Sequence, residues 1–548
     1  MARTPRRGAG QSRHTSLSQR SEPAEDAGQA GSSTAGSSTA GSSTASSSSG
    51  SRPLPGAGRQ PGAGRKPGAG RKPGAGRQPG AGRPPGAGRQ ARDPARRVAL
   101  DVLLAVEDRD AYANLLLPQL LAQRQLTGRD AALATELSYG TLRGRGTYDA
   151  VLAICCDRNL DTLDPAVREV LRLGTHQLLG TRIQPHAAVA TSVDLVKEAA
   201  GQRPAGFVNA VLRRVATRDL AGWLDIAAPD REPDPVGYLA VRYSHPRWIV
   251  EAFAAALGEA PGGDMRQTET ALAASSERPA VHLCVVPGLA DRQDLVTAGC
   301  APARWSPFGA YLADGDPAAI SAVAEGRAGV QDEASQLAAI ALTRVAVDGS
   351  DARWLDVCAG PGGKARLLAG LAAGTGARLV AAEIREHRAR LVRSAVAPAG
   401  SASVVVADGT RPAWRAGGFD RVIADVPCSG LGALRRRPEA RWRRTPADVQ
   451  ALGGLQRSLL SGALDAARPG GVVAYVTCSP HLAETQDVVA DVLAARPGVQ
   501  VLDAPAVLTE VPGVSVGPDG RYAQFWPHLH GTDAIFLALL RQAGPTAP

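Results

Sequence analysis

The sequence predicts a multidomain chain in which an all-α domain and a mixed segment precede an α/β domain built on a doubly wound, mostly parallel sheet. Three observations predict this. Between Asp93 and Arg218 apolar residues recur at helical spacing. Beyond Ala352 short apolar runs alternate with helical or loop segments, and before Asp93 almost no residue could enter a core.

Residues 1–93 are read as a disordered, low-complexity tail. Ala-Gly-Ser-Ser-Thr repeats lead into six hexads of the form PGAGR[QKP] between Pro55 and Gln90. Nothing there offsets the entropy of ordering the chain. Residues 1–97 hold 17 Lys and Arg against 4 Asp and Glu, while the remainder holds 45 against 48. The folded part is therefore not basic overall, and any grip on a polyanion must come from local patches.

Residues 94–220 are expected to form the helical domain. ARRVALDVLLAV, NLLLPQLLAQ, AALATELSYGTL, YDAVLAIC, PAVREVLRLGTHQLL and AVATSVDLVKEA each carry an apolar helical face, with Gly, Pro, Asp or Thr between them. Residues 235–347 are expected to be a mixed linker domain with a strand at AVHLCVV and a helix starting near Gln331. Residues 350–541 hold RWLDVCAG, ARLVAAEI, ASVVVADG, FDRVIADVPC, GGVVAYVTC and AIFLALL, strand-like runs suited to burial on both faces. Ligands of such sheets sit beyond the carboxyl ends of the strands, so the chemistry should follow each run.

Other classes are disfavoured. No apolar run approaches the roughly 20 residues that span a bilayer, and the N-terminus lacks the apolar middle of a signal peptide. Seven cysteines form no CxxC pair, which argues against a disulfide ladder and a structural zinc. A cytoplasmic chain, a monomer without metal, is expected.

The first strand end, Asp356-Val-Cys-Ala-Gly-Pro-Gly-Gly-Lys364, is a glycine-rich turn opening a helix. Its spacing is neither GxGxxG nor a phosphate loop. Three acids follow later strands: Glu383, placed for ribose hydroxyls, Asp408, near where an adenine would lie, and Asp425, facing the reacting centre. Each alone could cap a helix or turn. Together with the turn they fit S-adenosylmethionine better than NAD. Only two of the four lysines, Lys197 and Lys364, lie in the folded part beside many arginines, which suggests a site where a compact ammonium is wanted.

Two cysteines follow neighbouring strand ends, in DVPC428SG and VTC478SP. Cytosine C5 is too weak a nucleophile to attack a sulfonium methyl unaided. A thiolate adding to C6 makes C5 electron-rich, and a base must then remove the C5 proton. From the bare residues either cysteine could be the one that attacks.

With these motifs in hand, the chain resembles the RsmB/NOP family of RNA cytosine-5 methyltransferases over about residues 94–541. LDVCAGPGGK, DVPCSGLG and VTCSP are similar to the family's three signature motifs, and RDAALATELSYGTLR, LRLGTHQLL and GFVNAVLRR to a NusB-like RNA-binding domain. The resemblance implies a class I (Rossmann-like) S-adenosylmethionine-dependent fold, Cys478 as nucleophile and Cys428 as the group aiding product release. It places donor contacts at Cys358, Ala359, Gly360, Pro361, Gly362, Gly363, Lys364, Glu383, Asp408 and Asp425, with Lys364 and Asp425 also catalytic. Departures are small: Gly360 stands where Ala is usual, Glu383 where Asp is, Ala365 and Thr485 where Thr and Asn are.

Arg435, Arg436, Arg437, Arg441, Arg443 and Arg444 surround Trp442 just after the Cys428 motif. Guanidinium groups can meet phosphates and an indole can stack on a base, so this segment is the expected RNA contact; a solvated loop tied to acids is the alternative. The family resemblance implies cytosine-5 methylation of RNA as the activity, with small-subunit (16S) ribosomal RNA as substrate. Transfer RNA, or a non-catalytic RNA-binding role in ribosome assembly, are the alternatives.

Overall fold

The computed structural model describes residues 93–542 other than Asp110 and Pro261; the expected tail lies outside the described residues except for Asp93. The helical domain opens at Pro94–Asp108, where Asp93 caps the first turn by accepting from the Arg96 N–H at 3.1 Å. Helices follow at Ala113–Gln123, Gly128–Cys155, Pro165–Leu179, Pro185–Ala200, Ala205–Val215 and Leu220–Ala227. Their apolar stripes meet around Leu100, Leu103, Leu137, Leu152, Leu171, Leu173 and Leu212, all fully buried. The two segments read as separate helices at 131–142 and 148–155 are one continuous helix. Gly140 serves close approach, since a Cβ there would lie 2.1 Å from the His176 ring. Here glycine makes room for a neighbour and does not end the helix.

The mixed segment contains helices Pro235–Arg242, Arg247–Ala256 and Arg266–Ser276, then four strands: β1 (Val281–Val285), β2 (Ala301–Pro302), β3 (Gly309–Leu312) and β4 (Ala328–Val330). They form an antiparallel sheet in the order β2-β3-β1-β4. The helix Glu333–Arg344 buries Leu337, Ile340 and Leu342 in the core shared with Trp354 and Leu379, beneath the second sheet.

That second sheet comprises β5 (Arg353–Asp356), β6 (Arg378–Glu383), β7 (Ala402–Val406), β8 (Phe419–Asp425), β9 (Ala467–Thr477), β10 (Gln500–Leu502), β11 (Ser515–Val516), β12 (Tyr522–Gln524) and β13 (Phe536–Arg541). Its order is β7-β6-β5-β8-β9-β13-β12-β11, with β10 also pairing β13. Strands β7 through β9 are parallel, and β13 returns antiparallel to β9. The chain runs outward from β5 to β7 and then reverses to the other side of β5 with β8. A doubly wound sheet opens its ligand crevice at such a reversal. No helix among the described residues is long and apolar enough to cross a membrane.

Candidate active site

The crevice lies between the carboxyl ends of β5 and β8. The turn after β5 enters the helix Gly363–Thr375 through Gly362, whose φ of +116° is left-handed. A Cβ at Gly362 would also meet the Ala395 side chain at 2.7 Å. Gly360 lies over Glu383, the buried last residue of β6, so closely that a Cβ would be 2.1 Å from its Oε2. Arg388 joins the two by donating to the Gly360 carbonyl at 2.6 Å, with its Nε 3.5 Å from Glu383. Glu383 also accepts from the Arg385 N–H at 3.0 Å. Asp408, beyond β7, accepts from both the N–H and the hydroxyl of Thr410, which holds its carboxyl below the usual range. Cys358 is half-buried, and its thiol is pushed well up by burial and by the charges of Asp356, Asp425 and Glu383.

Lys364 and Asp425 form an ion pair at 2.8 Å across the crevice. Burial works against the lysine's charge, but the Asp425 charge and hydrogen bond outweigh it, and the ammonium sits above its ordinary value. Asp356, at the end of β5, lines the same space, a role the motif reading passed over. Its Oδ1 accepts from the Cys358 N–H at 3.2 Å, while its Oδ2 is buried without a partner. Burial, then the Asp425 charge, push its pKa up to about 7. An acid at the end of the first strand was the available signal.

The two cysteines meet. In the parallel pairing of β8 with β9, Asp425 stands opposite Val476, so the chain leaves both strands at one level. Cys428 Sγ and Cys478 Sγ are 3.2 Å apart, and both residues are half-buried. Their environments differ. The bond from Cys428 and the positive charges of Lys364 and Arg437 lower the Cys478 thiol against the opposing effects of burial and Asp425. That same bond, burial, and the charges of Glu484 and Asp425 push Cys428 well up. The pair is thus polarised toward a thiolate at 478.

The following serines brace the loops. Ser429 Oγ is 3.2 Å from Ser479 Oγ and donates to buried Glu484 at 2.5 Å, while the Ser429 N–H donates to the same carboxylate at 2.7 Å. Gln456 ties Glu484 to the Pro427 carbonyl. The Gly432 N–H donates to the Cys478 carbonyl at 2.8 Å, and a Cβ at Gly432 would lie 1.8 Å from the Ala534 carbonyl oxygen. Only glycine lets these backbones approach.

The expectation that the arginine segment meets RNA needs correction for most of its members. Arg435 and Arg436 are engaged with buried Asp332 and Asp533, and Arg436 also donates to the Ala280 carbonyl. Arg441 is fully buried, donating to the carbonyls of Arg143, Ser244 and Ser275. Arg443 donates to the carbonyls of Val106 and Ala111. Trp442 lies against Gly146, where a Cβ would touch the indole at 2.5 Å. These side chains hold the helical and mixed domains to the catalytic loop, because buried carboxylates and backbone carbonyls can satisfy a guanidinium as phosphate would. Arg437 is exposed, and Arg444, half-buried, donates to the Ser429 carbonyl at 3.2 Å.

Sheet order, glycine turn and helical companion define a Rossmann-like methyltransferase joined to a NusB-like domain. Comparison with known proteins agrees. Residues 345–541 match the family described as 16S rRNA methyltransferase RsmB/F, and residues 93–217 match the NusB family. A Mycobacterium tuberculosis protein named only as a methyltransferase is 52% identical over 452 residues, covering 82% of this chain and 97% of that protein. The ribosomal RNA small subunit methyltransferase B of Pseudomonas syringae is 32% identical over 455 residues, covering 81% and 96%. A crystal structure of a protein called PH0851 shares the fold, with a TM-score of 0.66 at 21% identity over 82% of this chain and 98% of that one. The chain belongs to the RsmB/F methyltransferase family.

Proposed function

We propose that this protein methylates carbon 5 of a cytosine in small-subunit ribosomal RNA, with S-adenosylmethionine as donor and Cys478 as transient nucleophile. The observation that carries this reading is the pair of cysteine sulfurs, 3.2 Å apart, beside the Lys364–Asp425 ion pair. The crevice fits the donor: it offers a buried, unpartnered Asp356 oxygen and the buried Glu383 carboxylate beneath a turn too tight for a side chain at 360. Cys358 through Lys364, Glu383, Asp408 and Asp425 would hold it, and when bound it supplies an electrophilic methyl group.

The chain's own residues do the rest. The Cys478 thiolate forms a bond to C6, shifting an electron pair toward C5. Asp425, fixed by Lys364, faces the ring and orients it. After methylation the C5 proton leaves and the C6–S bond breaks, returning the thiolate to Cys478. The C5 proton passes to water, and Cys428, kept as a thiol by its surroundings and 3.2 Å from Cys478, is placed to donate a hydrogen bond to the departing sulfur.

The test is nucleoside mass spectrometry of unmodified 16S transcript treated with purified protein and donor. We expect 5-methylcytidine from the native protein and a loss of at least about a thousandfold in Cys478→Ala. Cys428→Ala should still transfer methyl but leave an RNA–protein adduct on a denaturing gel. Product formation with serine at 478, or an adduct that depends on Cys428 alone, would falsify the assignment. Transfer RNA in the same assay separates the rival substrate.

A further inference from the structure

One member of the arginine segment is turned outward, and it meets an aromatic ring from another domain. Among the described residues Arg437 has no ion-pair partner, and its guanidinium lies 5.7 Å from the centroid of the Tyr112 ring. Tyr112, just before the helix Ala113–Gln123, is 43% exposed. Arg443 approaches the same ring at 5.4 Å and holds the preceding turn through the Val106 and Ala111 carbonyls. The Ala113 N–H donates to buried Glu439 at 3.2 Å. An exposed tyrosine is thus held by two guanidinium groups of the catalytic loop, an arrangement that fixes the ring while leaving much of it in solvent.

Its position relative to the thiols follows from the backbone. Gly432 is bonded to the Cys478 carbonyl, and Arg437 lies five residues further, after a tight turn in which its N–H donates to the Ala433 carbonyl. Five residues span at most about 18 Å when extended, so the ring stands within a few nucleotides' reach of Cys478. Tyrosine faces stack on unpaired bases of any sequence, and a guanidinium adds a phosphate contact and a cation–π platform.

We infer that Tyr112 and Arg437 form an RNA-contact site at the mouth of the active site, the ring stacking on an unpaired base that flanks the target and the guanidinium meeting its phosphate. This rests on RNA being the substrate proposed above, though not on which carbon is methylated. The helical domain then contributes directly to the site, and the buried arginines and Glu439 set the position of its contact.

Binding of an unmodified 16S transcript, followed by fluorescence anisotropy across a salt series, tests the site independently of the chemistry. Tyr112→Ala should weaken binding roughly 5- to 160-fold, the range of base–aromatic stacking, while Tyr112→Phe stays near native because it keeps the ring face. Arg437→Gln should lower the slope of log affinity against log salt by about 0.7. Photo-crosslinking of 4-thiouridine-substituted transcript to the native protein, mapped by mass spectrometry, should label Tyr112, and it decides the matter if Tyr112→Ala folds poorly. Native affinity in Tyr112→Ala with no crosslink at 112 overturns the site. Weakened binding in a protein that makes no 5-methylcytidine supports the site while refuting the proposed chemistry.

Discussion

The turn after β5 and the segment after Cys428 carry comparable densities of polar, chemistry-bearing residues, yet they end differently. Around the turn, Asp356, Gly360 and Lys364 converge with Glu383 of β6 on one crevice. In the segment, Arg435, Arg436, Arg441 and Arg443 are drawn inward by carboxylates and carbonyls of three domains. The difference teaches that strand ends have an address assigned by sheet topology, whereas a long cation goes wherever acceptors are concentrated. A charged run beside a catalytic loop can therefore be internal framework.

The sharpest way to break this comparison is Arg441→Ala. It leaves three carbonyls without their donor and a cavity where domains meet, so chemical unfolding should show a loss of about 3–5 kcal/mol. Arg437→Gln, four residues away in the same window of sequence, should stay within about 0.5 kcal/mol. Equal effects would mean that the segment does not divide into inner and outer members.

On the turn side, Asp356 makes a pH prediction. Its folded pKa of about 7 lies above the ordinary 3.8, so the folded state favours the protonated carboxyl. That contribution is complete below pH 3.8 and is lost as pH rises through 7. Without donor, the stability advantage of Asp356→Asn over the native protein should grow by on the order of 2 kcal/mol between pH 5 and 7.5. A constant difference across that range would show that Asp356 is already ionised.

The smallest expected effect concerns Gly360 and Glu383. Gly360→Ala places a Cβ where the Glu383 carboxylate lies, and calorimetry should show donor affinity falling about tenfold. Shortening the acid as well, with Glu383→Asp, should recover most of it, a coupling of about 1 kcal/mol. Additive losses would show that the two residues act separately.

Much of the fold was legible in advance. Apolar periodicity located five of the seven helices of the helical domain and six of the nine strands of the main sheet, and the motif glycines marked the turn that opens the helix at Gly363. The merger of two expected helices into Gly128–Cys155 was not legible, because the spacing that suggests a helix end also suits a glycine packed against His176 or Trp442. Tyr112 carried no signal, since an isolated tyrosine beside a helix is ordinary until another domain supplies its arginines.

By itself the sequence determined the repertoire and its order along the chain: a helical domain, then a sheet whose first turn and fourth and fifth strand ends bear Lys364, Asp425, Cys428 and Cys478. Local propensity and motif spacing suffice for that, since both act within a few residues. Tertiary structure alone decided that the two sulfurs meet at 3.2 Å, which thiol is lowered, and which arginines face solvent. Those outcomes depend on strand register, burial and acceptors hundreds of residues away, and neither composition nor local pattern records such distances.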